Sequence, residues 1–263
     1  MRVYFATSTL IYRSSLIKHD IKNILFAFPY ATKSLLNQFD DYLDHVKDVN
    51  LLLDSGAFSV WTLGERIERE EYLQFCKDMI TRYKHRLNSM SVVNLDMIPG
   101  SFGVKPTAEQ VEESARIGRE NYLYLKENGV DTIPVFHQHE DMKWLYLMEK
   151  DTDYIGISPA NDCATANRMV WLDKVYSHLK DSVKTHSFGG ISEKILRKYP
   201  FYSGDSSSWT AHYRWGKGSK FNCRMQATTK DGVKYMTDRE VLEYKKLGEF
   251  ITRLWESRGV KWK

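Results

Sequence analysis

The sequence predicts a single α/β domain of TIM-type (β/α)8 architecture, with an irregular last strand. Three observations lead there. Short apolar runs of strand character alternate with amphipathic helical stretches, a pattern that gives a parallel sheet. The 263 residues, 42% of them hydrophobic, match the usual size of one closed barrel. No Gly-rich phosphate loop follows the first strand at Ala6, as an open doubly wound sheet would usually require.

The strands are expected at residues 3–7, 51–54, 92–97, 132–137, 154–158, 183–187 and 201–203. An eighth would have to come from residues 221–236, which read equally well as a hairpin. Between strands, Thr107-x-x-Gln110 reads as a capping box ahead of Val111, Ala115, Tyr122 and Leu125, with Gly129 as the stop. Thr237-x-x-Glu240 similarly opens a last helix over residues 238–258, whose apolar face is Val241, Tyr244, Leu247, Ile251, Leu254 and Trp255. No low-complexity linker interrupts residues 1–263, so one domain is expected.

Composition narrows the setting. No run of about 18 apolar residues is present, which argues against a membrane span. The N-terminal run lacks the apolar region and cleavage site of a secretory signal, so a cytoplasmic protein is expected. Cys76, Cys163 and Cys223 are widely spaced and odd in number, which is neither a disulfide framework nor a Cys-x-x-Cys zinc site.

The net charge of +4 is unevenly spread. Within the basic aromatic segment at 209–236, Arg214, Lys217, Lys220 and Arg224 alternate with Trp209, Tyr213, Trp215 and Phe221, and no acid falls between residues 209 and 224. Basic groups neutralise phosphates and aromatic faces stack on unpaired bases, so Trp209, Arg214, Trp215, Lys217, Lys220 and Arg224 are candidate nucleic-acid contacts. A solvated loop whose aromatics pack on the barrel fits the same composition equally well.

Three strand candidates end on carboxylates: Asp54, Asp96 and Asp205. In a parallel barrel the C-terminal strand ends share one face, where such groups converge on one pocket. Each Asp could instead close a turn or cap a helix. Gly189 and Gly190 make either a tight turn, the favoured role, or a phosphate cradle.

At Asp54-Ser55-Gly56-Ala57-Phe58 the chain resembles the Asp-Ser-Gly-Gly-Phe motif of the tRNA-guanine transglycosylase (queuine tRNA-ribosyltransferase) family, and the later strand ends fall in that family's order. The similarity spans roughly residues 3–209. It implies Asp205 as nucleophile and Asp54 as the carboxylate that handles protons. It further implies a base pocket of Asp96, Gln138 and Gly156, with Ser55 and Phe58 from the motif. The family's Cys-x-Cys-x-x-Cys zinc site is not written here, since only Cys223 follows the nucleophile strand. The chain is therefore more similar to the phage and bacterial proteins that place 7-deazaguanines in DNA. DNA is the favoured substrate and tRNA the alternative, with the free 7-deazaguanine base as co-substrate, no metal or cofactor, and a homodimer compatible with the resemblance.

The chemistry is coherent on its own terms. A carboxylate can attack C1′ to give a glycosyl-enzyme intermediate. A second carboxylate with a raised pKa can protonate the departing guanine and deprotonate its replacement. The rival reading is a metal-dependent hydrolase using His137, His139, His186 and Asp205, all near strand ends. A third is a non-catalytic nucleic-acid-binding barrel.

Overall fold

A computed structural model describes residues 1–160, 165–189, 191–215 and 229–262. Eight parallel strands form one sheet: β1 (Arg2–Ala6), β2 (Asn23–Ala27), β3 (Asn50–Asp54), β4 (Ser89–Val92), β5 (Val135–His137), β6 (Tyr154–Ser158), β7 (Lys184–Ser187) and β8 (Ser203–Ser206). Their order is β4-β3-β2-β1-β8-β7-β6-β5. The two outer strands meet just past their ends, where Val93 bridges Ile133. There Asn94 N–H donates to Ile133 O at 2.9 Å, and Ile133 N–H donates to Val92 O at 2.8 Å. The sheet thus curls into a TIM-type barrel.

The expected strand count holds, but the strand that joins the seven expected ones lies ahead of residues 51–54. It is β2, whose Asn-Ile-Leu-Phe-Ala run pairs along its whole length with β3. Residues 221–228 lie outside the described residues, and 230–236 are helical. The last helix, α10 (Lys230–Glu256), begins well before the expected residue 238 because Thr229 is its N-cap, accepting from Gly232 N–H at 3.1 Å. Thr237 and Glu240 are buried within it and cap nothing.

The other helices are α1 (Arg13–Lys18), α2 (Lys33–His45), α3 (Ala57–Thr62), α4 (Arg69–Tyr83), α5 (Ala108–Glu127), α6 (Met142–Asp151), α7 (Thr165–His178), α8 (Glu193–Leu196) and α9 (Ala211–Trp215). At α5 both halves of the capping box are made: Gln110 N–H donates to Thr107 Oγ1 at 3.2 Å, and Thr107 N–H donates to Gln110 Oε1 at 2.9 Å. Gly129 takes the left-handed conformation at φ 82° just past its end, a cheap position only for glycine.

Strand alternation sorts side chains into two sets. Residues facing the helices, such as Phe5, Ile24, Phe26, Leu51, Leu53, Phe136, Ile155 and Ile157, join the main apolar core. Residues facing the axis, Tyr4, Ala6, Leu25, Leu52, Val93, Ile133 and Val135, form a smaller plug with Tyr154 and Phe188 against it. One step further along several of these inward columns come the groups at the mouth. No described helix is long and apolar enough to cross a membrane.

Candidate active site at the barrel mouth

The strand ends open on a cavity of about 600 Å³ lined by Asp54, Asp96, His137, Ser158, Phe188 and Asp205, among others. The three predicted carboxylates are therefore together. Asp54 ends β3, Asp205 lies in β8, and Asp96 follows β4 in a loop. Leu52 is inward in β3, so a two-residue step puts Asp54 inward as well.

Burial pushes the Asp54 carboxyl up to about 7, and the neighbouring charges of Asp96 and Asp205 act in the same direction. The Gly56 N–H, donating to Oδ2 at 3.2 Å, opposes this only in part. Gly56 is needed for its shape: φ is 77°, and a Cβ there would lie 2.5 Å from Pro29 Cδ. That explains the Asp-Ser-Gly order as local geometry.

Asp96 is held from two sides. The buried Ser55 hydroxyl donates to Oδ1 at 3.1 Å. His137 Nε2 lies 2.9 Å from Oδ2, within ion-pair distance whenever the ring is protonated. Burial pulls the His137 imidazole down, while Asp96 and then Glu140 pull it up, and the net direction is up. Glu140 sits beneath, its Oε2 accepting from His137 N–H at 3.1 Å, and burial pushes its carboxyl to about 7.

On the opposite wall, His186 Nε2 is 3.3 Å from Asp205 Oδ1. The ring is fully buried and packs on Phe188 with centroids 4.4 Å apart. Exposed aromatics rim the opening: Tyr30, Phe58 and Tyr213, with Arg214 beside Tyr213. Arg214 donates through Nη2 to Ser207 O at 2.5 Å.

Several expected site residues take other places. Gln138 is off the cavity wall, one residue beyond the inward position that His137 occupies, and its Oε1 accepts from Ala160 N–H at 3.0 Å. Gly156 lies beneath Phe188, and a Cβ there would meet Phe188 Cε2 at 2.5 Å, so its role is to admit that ring. Ser55 stands behind Asp96 and off the wall. Phe58 is on the wall and 45% exposed.

Trp209 is not a stacking surface. It is 1% exposed, its Nε1–H donates to Ala6 O at 2.9 Å, and its ring meets Phe5 edge-on. Trp215 ends α9. Lys217, Lys220 and Arg224 lie outside the described residues, as do Gly190, Cys163 and Cys223; Gly189 lines the cavity.

The His137, His139, His186 and Asp205 set does not form a metal site. Both ring nitrogens of His186 are engaged, by Ser203 and Asp205. His137 faces Asp96, and His139 is exposed, at φ 86° and off the wall. Among the described residues no three His, Cys, Asp or Glu side chains are grouped to hold a metal ion. His137 and His186 matter instead as partners of the carboxylates, a role signalled only by their inward register on β5 and β7.

No protein-family model matches the chain. No curated protein matches it either. Among solved structures, a cube-shaped, highly porous protein cage designed by fusing symmetric oligomeric domains is 10% identical with a TM-score of 0.50, over 98% of this chain and 74% of that one. AP endonuclease, family 2, from Brucella melitensis is 12% identical with a TM-score of 0.42, over 78% of this chain and 92% of that one. KGPDC from Streptococcus mutans is 8% identical with a TM-score of 0.40, over 92% and 97% respectively. At these identities the likeness concerns the fold alone.

Proposed function

We propose that the chain is an enzyme, a pentosyltransferase that exchanges a guanine in nucleic acid for a 7-deazaguanine base, DNA being the favoured substrate and tRNA the alternative. Asp54 carries the reading. A carboxyl held near 7 between two other carboxylates, in a cavity large enough for a purine nucleotide, is suited to give and take a proton at neutral pH.

Asp205 is the nucleophile. Its oxygen attacks C1′ as the C1′–N9 bond of guanine breaks, and the departing base takes the Asp54 proton. The incoming base then gives a proton to Asp54, and its N9 displaces Asp205 from C1′. Asp96, fixed by Ser55 and His137, accepts from N1–H and the exocyclic amine of the purine, a pattern adenine does not present. With Gln138 engaged by Ala160, His137 is the donor beside that edge. The target nucleotide has to be flipped or unpaired to reach the cavity. Tyr30, Phe58, Tyr213 and Arg214 at the rim offer ring faces and a cation to the flanking strand.

Exchange of labelled guanine, assayed side by side in single-stranded DNA, duplex DNA and tRNA, tests the reading. Activity is expected on DNA and is expected to vanish in Asp205→Asn while nucleic-acid binding persists. Exchange at the wild-type rate in Asp205→Asn removes Asp205 from this role. No exchange on any substrate refutes the proposal.

A further inference from the structure

The inner layer on the β6–β7–β8 side of the barrel is polar. Tyr154 Oη lies 2.5 Å from Ser203 Oγ, Ser203 Oγ lies 2.6 Å from His186 Nδ1, and His186 Nε2 lies 3.3 Å from Asp205 Oδ1. Ser203 and His186 are fully buried and face each other in the β7–β8 register. Asp205 stands two residues beyond Ser203 on the same inward column.

The direction of the chain follows from its acceptor end. An ionised carboxylate can only accept, so His186 donates through Nε2. In the singly protonated ring Nδ1 then accepts, which turns the Ser203 hydroxyl towards it as donor. The Ser203 oxygen in turn accepts from the Tyr154 phenol, which burial holds protonated far above the neutral range. All three donors point towards the cavity. Well-packed apolar side chains often replace buried polar groups without loss of stability, so a polar series of this kind calls for a reason beyond packing.

We propose that His186, locked by Ser203 and Tyr154, is the positioning residue of Asp205 and divides the labour of its two oxygens. The proposal rests on the transglycosylase reading. Oδ1 is tied to His186, whereas no hydrogen bond reaches Oδ2 among the described residues. Oδ2 therefore attacks C1′ as the C1′–N9 bond breaks and the purine leaves with that electron pair and the Asp54 proton. Oδ1 becomes the carbonyl oxygen of the resulting ester. In the second half, N9 of the incoming base, having lost its proton to Asp54, bonds to C1′ while the C1′–Oδ2 bond breaks. The electron pair returns to the carboxylate, where the His186 N–H stabilises the charge as it reappears. The imidazole thus acts most on breakdown of the covalent intermediate, without touching the sugar.

Variants with readouts that a purely structural histidine would not move decide the matter. His186→Phe keeps a ring between Phe188 and Tyr4 and removes the donor. Its kcat is expected to fall about tenfold to a hundredfold, the factor carried by one hydrogen bond to a charged group. KM for the free base should stay within about twofold, and denaturing gels should show the covalent adduct building up in the steady state. His186→Gln, which retains an N–H donor, should recover part of the rate. Unchanged kcat in His186→Phe, or a fall without adduct and without recovery in His186→Gln, overturns the proposal. Imidazole 15N spectra of the substrate-free protein separate this failure from failure of base exchange itself. The Nε2–H tautomer is expected in wild type, and a mixture of tautomers in Ser203→Ala, which loses the lock but little volume. Any other protonation pattern in wild type overturns the proposal whatever the activity. The expected tautomer in a protein that exchanges no base leaves His186 orienting Asp205 and sinks only the transglycosylase reading.

Discussion

Replacing Asp54 by Asn should make the protein more stable at alkaline pH. The carboxyl titrates near its ordinary value of 3.8 in the unfolded chain and near 7 in the folded one. Between those values the folded state binds the extra proton, so stability falls as pH rises from about 4 to about 7 and stays low above that. Each tenfold change in proton affinity is worth about 1.36 kcal/mol, which sets a ceiling of about 4 kcal/mol. The carboxylate faces an open, water-accessible cavity, so about 2–3 kcal/mol is the expected penalty. Asn removes it while keeping the shape and the acceptor for Gly56 N–H. Urea unfolding of both proteins at pH 4.5 and pH 8 measures it. The variant should gain about 2–3 kcal/mol on wild type between the two conditions. Glu140, also near 7, contributes to the pH dependence of both proteins and drops out of the difference. A difference that is independent of pH, or that favours wild type at pH 8, would refute the placement of a neutral Asp54 between Asp96 and Asp205.

Trp209→Ala should cost about 3–5 kcal/mol of stability, the range for a buried Trp truncation, and should act through unfolding rather than through weakened stacking. A chemical denaturation curve checks it, and a loss under about 1 kcal/mol would contradict the buried placement. Gly156→Ala should force the Phe188 ring aside, costing about 1–3 kcal/mol and weakening binding of the free base; calorimetric titration with guanine reads the second effect. If Arg214, Lys217, Lys220 and Arg224 meet phosphates, their joint replacement by Gln should lower the log–log salt slope of nucleic-acid binding by about 0.7–0.9 per lost contact. An unchanged slope returns that segment to a solvated loop.

The strand-end carboxylates were legible because each closes an apolar run, and a parallel barrel gathers such ends on one face whatever their sequence separation. β2 was not legible. It follows a helix of only six residues, Arg13–Lys18, so it falls inside the interval expected for a full crossover. Without it, the only remaining room for an eighth strand in the sequence is at residues 221–236, where Thr229 in fact starts a helix. Gln138, implied by the resemblance, is one residue past His137, and in a strand one residue exchanges the two faces, so His137 is the one on the cavity wall. The contact of His137 with Asp96 joins segments that only the closed barrel brings side by side, and that of His186 with Asp205 needs the β7–β8 pairing and its register. No local pattern carries them. Trp209 shows the converse error: a Trp in a basic stretch reads as a stacking surface until its indole N–H is seen to be spent on Ala6 O.

The seam between β4 and β5 has a consequence for motion. Neighbouring strands elsewhere are paired at two to five residues, whereas this pair is joined by the single bridge at Val93 and Ile133. Local opening is cheapest where the fewest backbone bonds must be given up. Asp96 lies three residues beyond one side of that bridge and His137 four beyond the other. The two groups that we propose to meet the edge of the purine thus ride on opposite lips of the weakest joint in the wall. A ligand that spans them fastens the barrel shut, so part of its binding energy goes into stiffening the protein.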